Sequence, residues 1–112
     1  MNETRVWQVV TTTGSEEEAN QLAAGLIEEH LAACVQVDGP ITSTYWWKGK
    51  STSDSEWRLT IKTSAARYSA MAKWLIERHS YDVPELLATD VCAGHEAYLE
   101  WVLQETGTRW SK

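Results

Sequence analysis

Phenylalanine is absent from this 112-residue chain, and cysteine and proline occur only twice each. Two cysteines close one disulfide at most, so no disulfide framework carries the fold. Both are expected as reduced thiols in the cytoplasm. The longest unbroken apolar run, Leu31 to Val35, is five residues, against about 20 for a membrane helix, so no helical membrane span is expected. The stretch from Met1 to Arg5 lacks the apolar region of a signal peptide. Bases are scarce: 10 Lys and Arg face 16 Asp and Glu, a net charge of −6. No basic stripe can track phosphates, which argues against a nucleic-acid partner. A Gly-rich phosphate loop, a G-x-S-x-G elbow, H-E-x-x-H and C-x-x-C are all missing, and with them the common routes to catalysis. The expectation is a protein that is not an enzyme.

What is present is apolar surface, much of it indole. Apolar residues make up 43% of the chain, enough for a globular core and too much for disorder. The length suits one domain, expected over residues 1–112, with loose termini at about 1–5 and 107–112. Seven Trp and four Tyr are more aromatic bulk than one small core easily hides. These side chains favour surfaces that are apolar on one side and wet on the other, as at subunit contacts.

The periodicity lays out the elements. Val6 to Val10 is a strand running on into Thr11-Thr12-Thr13. Ser15, with Glu18 three residues on, forms a capping box, and Glu16 and Glu17 favour the positive end of the helix dipole. Ala19, Leu22, Ala23, Leu26 and Ile27 then make one helical face. Leu31 to Val37 and Ile41 to Trp47 read as strand, broken at Asp38-Gly39-Pro40, where proline removes a ladder donor. Lys48 to Ser51 is a turn, and Ser55 to Lys62 alternates Trp57, Leu59 and Ile61 with polar residues. A second helix spans about Ala65 to His79 with face Tyr68, Met71, Ala72, Leu75 and Ile76, capped by Thr63 or Ser64. Leu86 to Cys92 is a fourth strand, and a short third helix carries Tyr98, Trp101 and Val102.

The order β-α-β-β-α-β plus a terminal helix is the α+β, ferredoxin-like pattern: an antiparallel sheet with two helices on one face. Its second and fourth strands lie at opposite edges, so Cys34 and Cys92 do not reach one another. Cys34 is expected as a small buried hydrophobe. The other sheet face needs cover, and Trp7, Val9 and Val35 do not all suit a solvated side. Tyr45-Trp46-Trp47 is too apolar for an exposed edge, so these three are expected at a contact between subunits. Self-association with closed symmetry is the simplest remedy.

Five segments resemble the CutA family. They are Leu31-Ala32-Ala33-Cys34-Val35, Tyr45-Trp46-Trp47-Lys48-Gly49-Lys50, Ile61-Lys62-Thr63, His79-Ser80-Tyr81-Asp82-Val83-Pro84-Glu85 and Gly94-His95-Glu96-Ala97-Tyr98-Leu99-Glu100-Trp101. The resemblance implies a PII-like homotrimer built by pairing strands between subunits. It also implies a role in tolerance of divalent cations, chiefly copper, without catalysis. Carried over by position, it marks His79 and Glu85 as metal contacts. Thr11 stands where copper-binding members have a cysteine, and Ser80 where most members have proline. Since copper prefers thiolate or imidazole to a hydroxyl, any copper binding here is expected to be weak. His79 also suits a helix end for electrostatic reasons alone, as does His30, and His95 reads as a surface residue. Two other readings stand beside this one: a PII-like sensor taking a small anion on Lys48, Lys50 and Arg58, and a structural trimer that docks another protein.

Overall fold

The computed structural model describes residues 5–107; Trp110 and the remaining residues of both termini lie outside that range. The elements run β1 (Val6–Thr13), α1 (Glu16–Glu28), β2 (Cys34–Trp47), β3 (Lys50–Ser64), a 3-10 turn (Ala65–Arg67), α2 (Tyr68–Arg78), β4 (Leu87–Asp90) and α3 (Glu96–Glu105). The sheet order is β2-β3-β1-β4 with every pairing antiparallel. This is the ferredoxin-like order, and it puts β2 and β4 at opposite edges as expected. Cys34 and Cys92 are both free thiols.

Helix α1 and the 3-10 turn that leads into α2 each start at a serine cap. The Ser15 side chain accepts a hydrogen bond from the Glu18 amide at 3.1 Å, and Ser64 does the same for Arg67 at 3.2 Å. Each satisfies an amide the first turn leaves without a partner. Helix α1 ends with His30 at φ 53, in the left-handed region, while the Leu31 amide reaches back to the Leu26 carbonyl at 3.0 Å. That closure normally uses glycine. Helix α1 buries Ala19, Leu22 and Leu26, and α2 buries Met71 and Leu75. They pack on Val9, Leu59 and Ile61 of the sheet to form the core. Each such Leu, Ile or Met contributes about 1.5–3 kcal/mol on leaving water. Ile27 and Ile76, expected on these faces, are exposed instead, because the buried stripe is narrower than the five positions the sequence allowed.

Two strands are longer than the sequence pattern suggested. Strand β3 begins at Lys50, so the turn is only Lys48-Gly49, closed by the pair Trp47↔Lys50. Both turn residues have positive φ, 50° and 78°, the two-residue geometry whose twist matches a hairpin. The register shifts between Asp38 and Ile41, at the expected break, while the strand continues through it. Gly39 is needed there: a Cβ on it would lie 2.5 Å from Trp57 Cδ1. Strand β4, by contrast, is only four residues, Leu87–Asp90.

The alternation of faces corrects one expectation. Val9 is core, Val35 packs against the core, and Trp7 stacks near Tyr68 of α2 with ring centroids 5.3 Å apart. All three lie on the face that the helices cover, so none of them calls for a second subunit. Cys34, paired with Lys62, lies on the opposite face and is only half-buried. There its thiol meets the hydroxyl of Tyr98 on α3. Helix α3 thus covers one end of the second face and buries Val102. The rest of that face is open.

Candidate functional site

On the open face, Gln8, Val10, Thr12, Asp38, Ile41, Thr42, Ser43, Arg58, Thr60 and Glu85 line a shallow depression of about 570 Å³. Its one guanidinium is already engaged: Arg58 makes two hydrogen bonds to Asp38, at 2.9 and 3.3 Å. Lys62 nearby donates to Gln36 at 2.7 Å. The floor is therefore polar and internally matched. Glu85 enters it from the loop after α2.

His79 is elsewhere. It caps α2 with an extended backbone, and its side chain is fully enclosed. Carbonyls of the even residues of β1 face β4, as shown by Val91 N–H on Val6 at 3.0 Å and Thr89 Oγ1 on Gln8 at 3.3 Å. Strand β4 stops at the pair Val10↔Leu87, so the Thr12 carbonyl has no strand to meet. His79 Nε2 donates to it at 2.8 Å and lies 3.4 Å from Thr11 Oγ1. Nδ1 accepts the Tyr81 amide at 3.1 Å. One nitrogen donates and the other accepts, which fixes the tautomer and occupies both positions.

The carboxylate brought to His79 is Glu18, not Glu85. Glu18 Oε2 lies 3.8 Å from Nδ1, and the two oxygens of Glu18 accept the amide and hydroxyl of Ser80 at 2.9 and 2.8 Å. The sequence assigned Glu18 to its own helix cap. Its backbone does serve that cap, while its side chain holds a loop 62 residues away. No local pattern signals this. The only pointer in the sequence was Ser80 itself, which has the two donors that a proline in its place lacks.

The same loop is tied a third time. Tyr81 donates its hydroxyl to Glu56 Oε2 at 2.9 Å. Burial, then this bond, pushes the Tyr81 phenol above its ordinary range. Tyr45 on the hairpin donates to Asp54, which likewise raises its pKa. Among the described residues, no group of three or more His, Cys, Asp or Glu side chains is placed to hold a metal ion. No helix among them is long and apolar enough to cross a membrane.

The third feature is the β2–β3 hairpin. Trp46 and Trp47 at its tip are 77% and 59% exposed, with Tyr45 beside them also exposed. Lys48 sits over the Trp47 ring, 5.7 Å from its centroid. At the opposite edge of the sheet, Leu87 of β4 is 61% exposed, and Val83 on the loop before it is 90% exposed. Of the three cations considered for an anion site, Lys48 and Lys50 share the hairpin tip and Arg58 is parted from them. Lys50 and Arg58 stand eight residues apart on one strand, about 26 Å.

The family model described as CutA1 divalent ion tolerance protein matches residues 7–105. The Thermus thermophilus divalent-cation tolerance protein CutA is 37% identical over 99 residues, which cover 88% of this chain and 96% of that one. The rice protein CutA 1, named as chloroplastic, is 40% identical over 98 residues; the match spans 88% of this chain and 55% of that longer protein. The crystal structure of CutA1 from the psychrotrophic bacterium Shewanella sp. SIB1 superposes with a TM-score of 0.91 at 30% identity, covering 96% of this chain and all of that one. The chain belongs to the CutA1 family of divalent ion tolerance proteins.

Proposed function

We propose that this chain is the single-domain subunit of a homotrimer that serves divalent-cation tolerance in the cytoplasm, binding copper weakly and catalysing no reaction. The observation that carries this reading is the hairpin tip. Two adjacent indoles, Trp46 and Trp47, stand in solvent at the end of a long ribbon, where an isolated monomer gains nothing from them. Exposed apolar residues also mark the other sheet edge, at Val83 and Leu87. Two unlike apolar surfaces at opposite edges favour head-to-tail contacts, which close into a ring when the rotation allows.

The metal part rests on the loop after α2. Glu85 is exposed and free to meet a cation in the depression. His79 presents a lone pair toward Thr11 only if Nε2 gives up its proton and its bond to the Thr12 carbonyl, Nδ1 then carrying the proton and the Tyr81 amide leaving it. With Thr11 supplying a hydroxyl in place of a thiolate, such a site is oxygen-rich and weak for copper. Native mass spectrometry at micromolar concentration, followed by calorimetric titration with copper, tests both halves. A species of three subunits with micromolar or weaker copper binding is the expected result. A monomer under those conditions overturns the assembly, and tight binding by the parent chain overturns the account of the site.

A further inference from the structure

Glu18 lies in the first turn of α1, is largely enclosed, and accepts two hydrogen bonds from one residue of a distant loop. The Ser80 amide reaches Oε2 at 2.9 Å, the Ser80 hydroxyl reaches Oε1 at 2.8 Å, and His79 Nδ1 stands 3.8 Å from Oε2. The next amide, Tyr81, is held by His79 Nδ1, whose Nε2 is held by the Thr12 carbonyl. The Tyr81 hydroxyl is held by Glu56 on β3. The start of the loop is thus bonded to α1, β1 and β3 in turn. Ser80 and Tyr81 are exposed yet held by these bonds; Asp82, Val83 and Glu85 beyond them are exposed as well, and the chain then enters the short, exposed strand β4.

We propose that Glu18 is a positioning residue, a latch that sets the path of the loop 79–86 and through it the placement of Val83 and Leu87 at the outer sheet edge. This rests on the assembly reading above, which gives that edge to a neighbouring subunit. The carboxylate is suited to the task because each of its two oxygens takes one donor of the same residue, which fixes direction as well as distance. Hydrogen bonds to a charged acceptor are also about twice as strong as neutral ones. Ser80 is the matching half. Alanine there keeps one donor, threonine keeps both, and proline keeps neither.

The test combines amide hydrogen exchange with subunit dissociation in four full-length proteins: the parent, Glu18→Gln, Ser80→Ala and Ser80→Thr. Glu18→Gln and Ser80→Ala are expected to speed exchange of the Ser80 and Tyr81 amides roughly tenfold, the size of a lost charge-assisted bond. Amides inside α1 and α2 are expected to stay unchanged, and Ser80→Thr to match the parent. In the two weakened variants the concentration at which subunits separate should rise by a similar factor. Unchanged loop exchange overturns the latch, as does an equal rise across α2, which signals a merely structural loss. Faster loop exchange with unchanged dissociation overturns the coupling to assembly. A monomeric parent sinks the assembly reading and that coupling together, while exchange at Ser80 still decides the latch.

Discussion

His79 donates Nε2–H to the backbone carbonyl of Thr12 at 2.8 Å, and in doing so completes the edge of β1 that β4 is too short to reach. A histidine side chain here does the work of a strand residue. His79→Ala leaves a cavity the size of an imidazole and strands the carbonyl without a partner. The expected loss of stability is about 2–4 kcal/mol, read as a lower urea midpoint at constant slope. His79→Gln retains an N–H of similar reach and should recover part of it. If His79→Ala unfolds at the parent's midpoint, the bond has no structural weight.

A glycine in the interior of α1 gives a prediction whose sign is unusual. Gly→Ala in a helix normally stabilises by about 1 kcal/mol. At Gly25 the new Cβ would lie 2.5 Å from Trp74 Cη2, and Trp74 is held by the guanidinium of Arg78, 4.4 Å from its ring, and by packing against the core. Overpacking of this kind costs about 1–3 kcal/mol. Gly25→Ala should therefore lower the melting temperature, and Gly25→Ala combined with Trp74→Leu should fall less than the sum of the two single changes. Additive losses rule out the clash.

The helices, strands and their order were legible in the sequence because their signals are local: Ser15 before an acidic turn, apolar residues every three to four positions, alternation from Trp57 to Ile61. The break at Asp38-Gly39-Pro40 was legible for the same reason. Faces were harder. Trp7, Val9 and Val35 seemed to need a subunit because hydrophobicity alone does not say which side of a sheet the helices take. The partners in the ties around the loop after α2 were not legible, although Ser80 in place of proline marked one end of one of them. Glu18 to Ser80 and Tyr81 to Glu56 join residues 62 and 25 positions apart, and nothing in either neighbourhood specifies the other. The copper-site residues suggested by resemblance, His79 and Glu85, fall in one loop but face different surroundings.

At the hairpin tip the prediction concerns assembly. Trp46→Ser and Trp47→Ser remove exposed indoles that touch no part of the core cluster. Secondary structure should be retained, with a far-UV spectrum like the parent's. Subunit association should weaken at least tenfold, since central aromatic contacts commonly carry 2 kcal/mol or more, roughly thirtyfold in affinity. Ultracentrifugation across a dilution series measures it. Trp74→Leu, on the helix layer, serves as the contrast and should leave association unchanged. Equal effects from both positions would place the contact elsewhere.

Alkaline pH offers a separate probe of the loop. The Tyr81 phenol is raised by burial first and by its bond to Glu56 second. In the unfolded chain it ionises near the ordinary value of 10.0. The folded state holds the proton longer, so this contribution to stability is complete below about pH 10 and is lost as pH climbs above it. Difference absorbance of phenolate should show a tyrosine that titrates above the rest. Glu56→Gln should lower its midpoint without restoring the ordinary value, because burial remains. Tyr81→Phe should remove that high-pH component and flatten the fall in stability above pH 10. A single phenolate transition near pH 10 in the parent would mean the loop is open in solution.

The last prediction concerns copper and uses the departure at position 11. Thr11 is fully buried, and its hydroxyl lies 3.4 Å from His79 Nε2. Thr11→Cys places a thiol beside an imidazole, the two donor types copper prefers, where the parent offers an oxygen. Affinity should rise at least tenfold, with a larger change than any single removal produces in the parent. Cys92 is exposed and could take up copper by itself, so the comparison is made in a Cys92→Ser background. There, adding His79→Ala to Thr11→Cys should abolish the gain if the imidazole shares the ion. Glu85→Gln should leave that gain intact, because Glu85 lines the open-face depression while His79 is enclosed beside Thr11. If Thr11→Cys binds no better than the parent, the end of β1 is closed to metal in this chain. Its copper contact would then lie with the exposed carboxylates of the open face.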